Sequence, residues 1–317
     1  MSTVEPESRG LVFKIERMTT DDGPGLRTTI YFNKCLLNCA WCHNPESIPQ
    51  SPQLQWIDHK CIKCLNCLEA CQEHALKFEK DDLKILREKC TSCRDCVDAC
   101  PSTALTMFGR WWDLEELFHE VEKEKVFFKR TNGGITVSGG EPTLQPDFLL
   151  QFLKQCKNDG ISTALDTCGY SSKKIYQDLL PFVDIVLLDL KVMDSEQHQE
   201  YTGVRNNTIL ENAKWIAHYV KENDKTMWIR TPLIPKYTAT DENVMRIGEF
   251  IVNELYNIPD IWDLLAFNKL CAIKYSRLGI AWPLENEPLM TRDEMEHFLD
   301  IAKSTGVEHV RWSGLTL

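Results

Sequence analysis

Two runs of cysteine constrain this chain more than any other feature. "CIKCLNCLEAC" at 61–71 and "CTSCRDCVDAC" at 90–100 each set four thiols into eleven residues, with spacing C-x2-C-x2-C-x3-C. The stretches 61–76 and 90–105 repeat one another at an offset of 29 residues. Thiols this dense point to metal chemistry. Zinc sites use CxxC pairs separated by longer loops, so two iron–sulfur clusters are the better reading. The chain has 14 cysteines in 317 residues, eleven of them between positions 35 and 100. The opening "MSTVEPESRG" has no charged-then-apolar signal pattern, and no apolar run approaches the roughly 18 residues of a membrane span. A cytoplasmic protein without membrane contact is expected, and a reducing cytosol disfavours disulfides. The net charge of −11 gives no support to nucleic-acid binding.

The cysteine spacing is that of bacterial two-cluster ferredoxins, in which the fourth cysteine of each run ligates the other cluster. One [4Fe–4S] cluster is therefore expected on Cys61, Cys64, Cys67 and Cys100, the other on Cys71, Cys90, Cys93 and Cys96. Pro101 follows the second run, whereas the first has Gln72 there. Residues 51–106 read as a ferredoxin-like insert, leaving 1–50 and 107–317 as the other domain.

That remainder alternates strand and helix. Strands are expected at 11–18 and 28–33, separated by the turn "TTDDGPG", and at 134–140, 162–167, 185–191, 226–234 and 263–267. A helix with Asp113 as its cap is expected near 114–121, and another carries Phe148, Leu149, Phe152, Leu153 and Cys156 on one face. The "EVEKEK" run reads as a solvated helix face. Near-continuous apolar strands joined by helices indicate α/β architecture with a parallel sheet, open or closing toward a TIM-type barrel. Polar residues gather at the strand ends, where such folds place their chemistry.

A third set of thiols, Cys35, Cys39 and Cys42 in "NKCLLNCAWCHNPES", lies in the loop leaving the second strand. Three thiolates on a cubane leave one iron without a protein ligand, and an open position admits a substrate or cofactor. The competing reading supplies a distant fourth ligand from Cys156, Cys168 or Cys271; Cys156 sits on an apolar helix face and suits the core better.

"CLLNCAWC" resembles the CxxxCxxC signature of the radical S-adenosylmethionine superfamily. More narrowly, "DDGPGLRTTIYFNKCLLNCAWCHNPES", "TNGGITVSGGEP", "LDTCGY", "LLDLKVMD" and "EYTGV" resemble, in order, the blocks of glycyl-radical-enzyme activating enzymes, relatives of pyruvate formate-lyase activase. The resemblance covers nearly the whole chain and implies a partial (β/α)6 TIM-type barrel with the ferredoxin-like insert. It implies that Gly139, Gly140 and Glu141 bind the methionine amino group of S-adenosylmethionine, and that Arg230 partners its carboxylate. Asp189, Leu190 and Lys191 would contact the cofactor, and Trp41 and His43 would line the adenosine pocket. Asp166, Thr167 and Asp189 match a monovalent-cation site, and Asp22 a position near the incoming substrate loop. Bland alternatives stand beside these: a surface ion pair for Arg230, a local salt bridge for Asp189 and Lys191, and turn chemistry for Asp22. The chain departs from the family at "LAFN", where Asn268 replaces a histidine that contacts the cofactor, and at Cys271, often glycine.

The implied activity is anaerobic oxidoreductase chemistry on three [4Fe–4S] clusters. S-adenosylmethionine is cleaved reductively to methionine and 5′-deoxyadenosine, and hydrogen is abstracted from a glycine Cα of a partner glycyl radical enzyme. Reduced ferredoxin or flavodoxin is the implied electron donor, and the chain is expected to be a monomer. Two other readings compete. A sulfatase-maturase-like enzyme would carry its auxiliary cysteines after the barrel rather than directly after the first cluster. An electron-transfer protein would leave the three-thiol loop and "GGE" unexplained.

Overall fold

The computed structural model describes residues 9–317. The first eight, which begin the first domain and make up most of the "MSTVEPESRG" stretch read above as lacking a signal pattern, lie outside the described residues.

Strands β1 (Arg9–Thr19) and β2 (Arg27–Phe32) are followed by four short strands that stay out of the main sheet: β3 (Gln53–Trp56), β4 (Leu76–Glu79), β5 (Asp82–Ile85) and β6 (Leu105–Phe108). Then come β7 (Arg110–Asp113), β8 (Gly134–Gly139), β9 (Ser162–Thr167), β10 (Ile185–Asp189), β11 (Thr226–Leu233), β12 (Ile261–Ala266) and β13 (Val310–Ser313). Nine of these form one sheet in the order β13-β12-β11-β10-β9-β8-β2-β1-β7. From β2 to β13 every neighbouring pair is parallel. Buried runs such as "ITVS" in β8 and "IVLL" in β10 suit strands covered on both faces. This is an α/β fold around a central parallel sheet.

The strands expected from sequence fall within about two residues of their observed limits. Strands β7 and β13 were not expected. Each has four residues with no apolar run, and each is defined by pairing at a sheet edge. Asp113 stands at the N-cap of helix Leu114–Glu122, but its side chain makes no capping bond. It pairs instead with Arg9 across β1 and β7, at 2.8 Å. The charged run after it is not wholly solvated, because Glu120 and Glu124 both pair with Arg17 of β1.

In the insert, β3 pairs with β6 and β4 with β5. Leu54, Ala75, Leu76, Leu83 and Leu105 form a small apolar cluster there with Cys71 and Cys96. The duplication extends to the backbone. Lys63, Leu65 and His74 have positive φ, and so do Ser92, Arg94 and Thr103, their counterparts 29 residues on. Positive φ is uncommon outside glycine, so three matched pairs mark one conformation used twice.

Candidate active site

Because β2 and β8–β12 are parallel, their C-terminal ends share one edge of the sheet. Phe32 is level with Gly139, Leu188 with Thr167, and Asp189 with Arg230. Cys35, Cys39 and Cys42 lie on the loop rising from β2 at this edge. Two helices hold that loop by its main chain. Asn38 N donates to Thr202 O at 2.7 Å and Ala40 N to Tyr201 O at 3.0 Å, both at the end of helix Ser195–Thr202. From helix Ala272–Leu278, Tyr275 Oη donates to Cys42 O at 2.9 Å and Lys274 Nζ to His43 O at 3.0 Å. Lys274 also pairs at 2.7 Å with Glu46, which is 1% exposed. Burial pushes the thiol of Cys35 up to about 12 and that of Cys39 to about 11, and raises Cys42 as well. Their thiolates need a positive partner to form.

Gly139 and Gly140 join β8 to this loop. A side chain on Gly139, whose φ is +116°, would meet the Phe32 backbone at 2.5 Å, and one on Gly140 would meet Lys34 O at 2.3 Å. Gly140 N donates to Phe32 O, and Glu141 N to Lys34 O, each at 2.8 Å. The glycines therefore let the two strand ends meet directly before Cys35. Gly139→Ala is expected to cost about 1–3 kcal/mol through strain at this turn, read from urea unfolding. The Glu141 carboxylate is buried and fully engaged. It accepts from Thr143 N and Oγ1 at 3.2 and 2.7 Å, from Thr167 Oγ1 at 2.9 Å and from Cys168 N at 2.8 Å.

Beyond this turn lies a charged group whose side chains are only 10–22% exposed. The Arg230 guanidinium is 3.4 Å from Asp22, 3.7 Å from Asp166 and 3.9 Å from Asp189. Lys191 pairs with the other oxygen of Asp189. Burial lifts Asp166 to about 6 against the pull of Arg230, and Asp189 and Asp22 add to the rise. Burial alone would lower the Lys191 ammonium, but Asp189 and Cys39 outweigh it and the net shift is upward. Asp189 Oδ1 and Arg230 Nε are both buried without a hydrogen-bond partner. The Thr167 hydroxyl is spent on Glu141 and Tyr176 rather than facing Asp166. Leu190 is buried, and Trp41 is buried edge-on to Tyr237. Half-buried His43 meets the Asn268 backbone; burial, and then Lys274, lower the pKa of its imidazole. Among the three remaining cysteines, Cys156 and Cys271 are buried. Cys168, also buried, is near enough to Cys35 to raise its own pKa further.

The eight insert thiols line two separate cavities. Cys71, Cys90, Cys93 and Cys96 surround one, and Cys61, Cys64, Cys67 and Cys100 the other. Among the described residues no three His, Cys, Asp or Glu side chains converge closely enough to hold a single metal ion. No helix there is long and apolar enough to cross a membrane.

The Radical SAM superfamily model matches residues 29–247. The chain is 37% identical to the (2S)-3-sulfopropanediol dehydratase activating enzyme of Klebsiella oxytoca, over 93% of each chain. It is 33% identical to the indoleacetate decarboxylase activating enzyme of Tractidigestivibacter scatoligenes, over 97% of this chain and 99% of that one. It is 34% identical to the choline trimethylamine-lyase activating enzyme of Oleidesulfovibrio alaskensis, over 92% and 94%. The chain belongs to the radical SAM superfamily, among its glycyl-radical-enzyme activating enzymes. That family implies a [4Fe–4S] cluster and S-adenosylmethionine.

Several residues that build the activating enzyme's site were not singled out from sequence. Lys274 and Tyr275 lock the cysteine loop from far along the chain, Lys274 also through Glu46, four residues after Cys42. In "EYTGV", Tyr201 and Thr202 offer carbonyls to the same loop. His198 braces that end, with Nδ1 at 2.6 Å from Val204 O and 3.0 Å from Thr202 Oγ1. Burial holds His198 below its ordinary 6.5. At mildly acid pH the unfolded chain therefore binds more protons than the folded one, and stability falls as pH drops below 6.5. His198→Gln is expected to flatten that slope in melting temperatures measured across pH.

Proposed function

We propose that this chain activates a partner glycyl radical enzyme with one [4Fe–4S] cluster on Cys35, Cys39 and Cys42 and S-adenosylmethionine at its open position. The observation that carries this reading is a three-thiol loop beside a charged group in which Asp189 Oδ1 and Arg230 Nε face one another at 3.9 Å, too far for a hydrogen bond, and neither has another hydrogen-bond partner. A zwitterionic amino acid end fits such a pair, because an unsatisfied buried polar atom costs about 1–3 kcal/mol until it is met. Held by Cys35, Cys39 and Cys42, such a cluster would supply the one electron needed for reductive cleavage of S-adenosylmethionine to methionine and 5′-deoxyadenosine, the hydrogen coming from a glycine Cα of the partner.

The protein's part is binding, orientation and exclusion of water. Gly139 and Gly140 would present backbone to the amino group, while Glu141 holds their turn against Thr167 and Cys168. Arg230 would meet the carboxylate. Lys191 and Leu190 would close the side near Cys39. Trp41, His43 and Asn268 would line the adenosine side. Asp166 and Asp189 suit a monovalent cation, to which Thr167 could add only its carbonyl. The sheet, unpaired onward at β7 and β13, suits a partial (β/α)6 barrel whose side admits the partner's glycine loop.

The insert would hold two further [4Fe–4S] clusters that relay electrons from a reduced ferredoxin or flavodoxin. Four thiols spread around each cavity fit a multi-atom cluster better than one zinc ion. The test is anaerobic incubation of the reconstituted protein with dithionite and S-adenosylmethionine. Absence of 5′-deoxyadenosine sinks the radical reading. Its formation without a glycyl radical doublet on any partner, by electron paramagnetic resonance, sinks the activase reading.

A further inference from the structure

We propose an order for the two insert sites: electrons enter at Cys61, Cys64, Cys67 and Cys100, and reach the Cys35–Cys39–Cys42 loop from Cys71, Cys90, Cys93 and Cys96. The order rests on the relay reading above. The two repeats are near copies, so their differences reveal what each one faces. Where the first has Ile62, Lys63 and Leu65, the second has Thr91, Ser92 and Arg94.

The second repeat is tied to the rest of the protein. Ser92 Oγ donates to Pro52 O at 2.6 Å, inside the insert but at its first residues, where the chain arrives from the three-thiol loop. The tie that leaves the insert is made by Arg87. Arg87, three residues before Cys90, donates to Leu278 O at 3.0 and 2.7 Å and to Gln53 Oε1 at 3.2 Å. Leu278 ends the helix whose Tyr275 and Lys274 grip Cys42 and His43. One bonded path thus runs from beside Cys90, through a single helix, to the carbonyl of Cys42. Arg94 and Met107 also wall both the second cavity and the cleft against Phe13 and Trp112 of the main sheet.

The polar contacts of the first repeat run inside the insert: Lys63 pairs with Asp81, and Ala75 O accepts from Leu86 N. Cys64 and its counterpart Cys93 are both exposed, but the wall around Cys64 is apolar, with Ile62 63% and Leu65 42% exposed. Two apolar side chains flanking one exposed thiol give this wall a contact face that the second repeat, with Thr91 and Arg94 there, does not have. Beside a redox site the occupant is a low-potential one-electron carrier protein, flavin- or iron–sulfur-based. The carrier loses one electron, the sulfonium of S-adenosylmethionine gains it, and the insert returns to its starting state, so no further reductant enters.

The full chain is reconstituted and reduced, and the paramagnetic resonance signal that shifts on adding S-adenosylmethionine is followed. In Cys93→Ala its fast spin relaxation, caused by a neighbouring cluster, is lost; in Cys64→Ala it is kept. The reverse pattern overturns the order. Either substitution could unfold the insert, so a second measurement uses the wild-type holoprotein. Hydrogen–deuterium exchange with a flavodoxin bound is expected to slow across residues 59–66. Protection of 88–97 instead, or of neither stretch, overturns the entry point. If no signal shifts with S-adenosylmethionine, the relay reading fails and takes the order with it; a shift with reversed relaxation defeats the order alone.

Discussion

Cys39→Ala is expected to abolish cleavage of S-adenosylmethionine while leaving roughly eight of about twelve irons bound, if each of three cubanes carries four. The reason is the separation of the thiols. Cys39 lies on the loop at the sheet edge, beside Lys191 and Asp189. The insert thiols line cavities of their own and pack with the insert's own apolar cluster. Removal of one thiol should therefore empty one site and leave the others intact. Iron analysis and Mössbauer spectra of the variant measure this, with 5′-deoxyadenosine as the second readout. Loss of all iron would mean that the insert cannot hold its clusters without the loop. Retention of all iron would mean that Cys39 is not a ligand, and Cys168, near Cys35, would be the thiol to examine next.

The sequence made the strands of the parallel sheet legible because each is a short apolar run bounded by polar ends, a local pattern. It made the thiol sets legible because their spacing is local too. It did not reveal what holds the three-thiol loop in place. Tyr275 is 233 residues from Cys42, and a hydroxyl donating to a main-chain carbonyl leaves no periodicity in either segment. Glu141 shows a subtler limit. A carboxylate at a strand end invites the reading of a ligand contact, yet its oxygens are filled by Thr143, Thr167 and Cys168. Residue type marked where the chemistry gathers; only the hydrogen bonds separate groups that face the open space from groups that brace its wall. The glycines before it carry the same lesson, since the backbone they approach is that of Phe32 and Lys34.

Lys274→Ala is expected to cost about 3 kcal/mol, the lower end of the usual loss when one partner of a buried pair is removed. Glu46 is 1% exposed and its Oε2 has no hydrogen-bond partner, so the charge rests on Lys274 through Oε1. Without the ammonium, the buried carboxylate is left with no ion-pair partner, and relieving that pulls at residues 43–47. Lys274 is 22% exposed, which is why the lower end applies. The same variant loses the bonds to His43 O and Asn44 Oδ1, so the cysteine loop loosens along with the helix. Denaturant unfolding of the anaerobic holoprotein gives the cost. The double variant Lys274→Met with Glu46→Gln should recover most of it, because a neutral pair of similar volume leaves no charge buried. A single-variant loss below about 1 kcal/mol would place the pair with ordinary surface ion pairs. The grip on the loop would then have to come from Tyr275 and from the carbonyls of Tyr201 and Thr202.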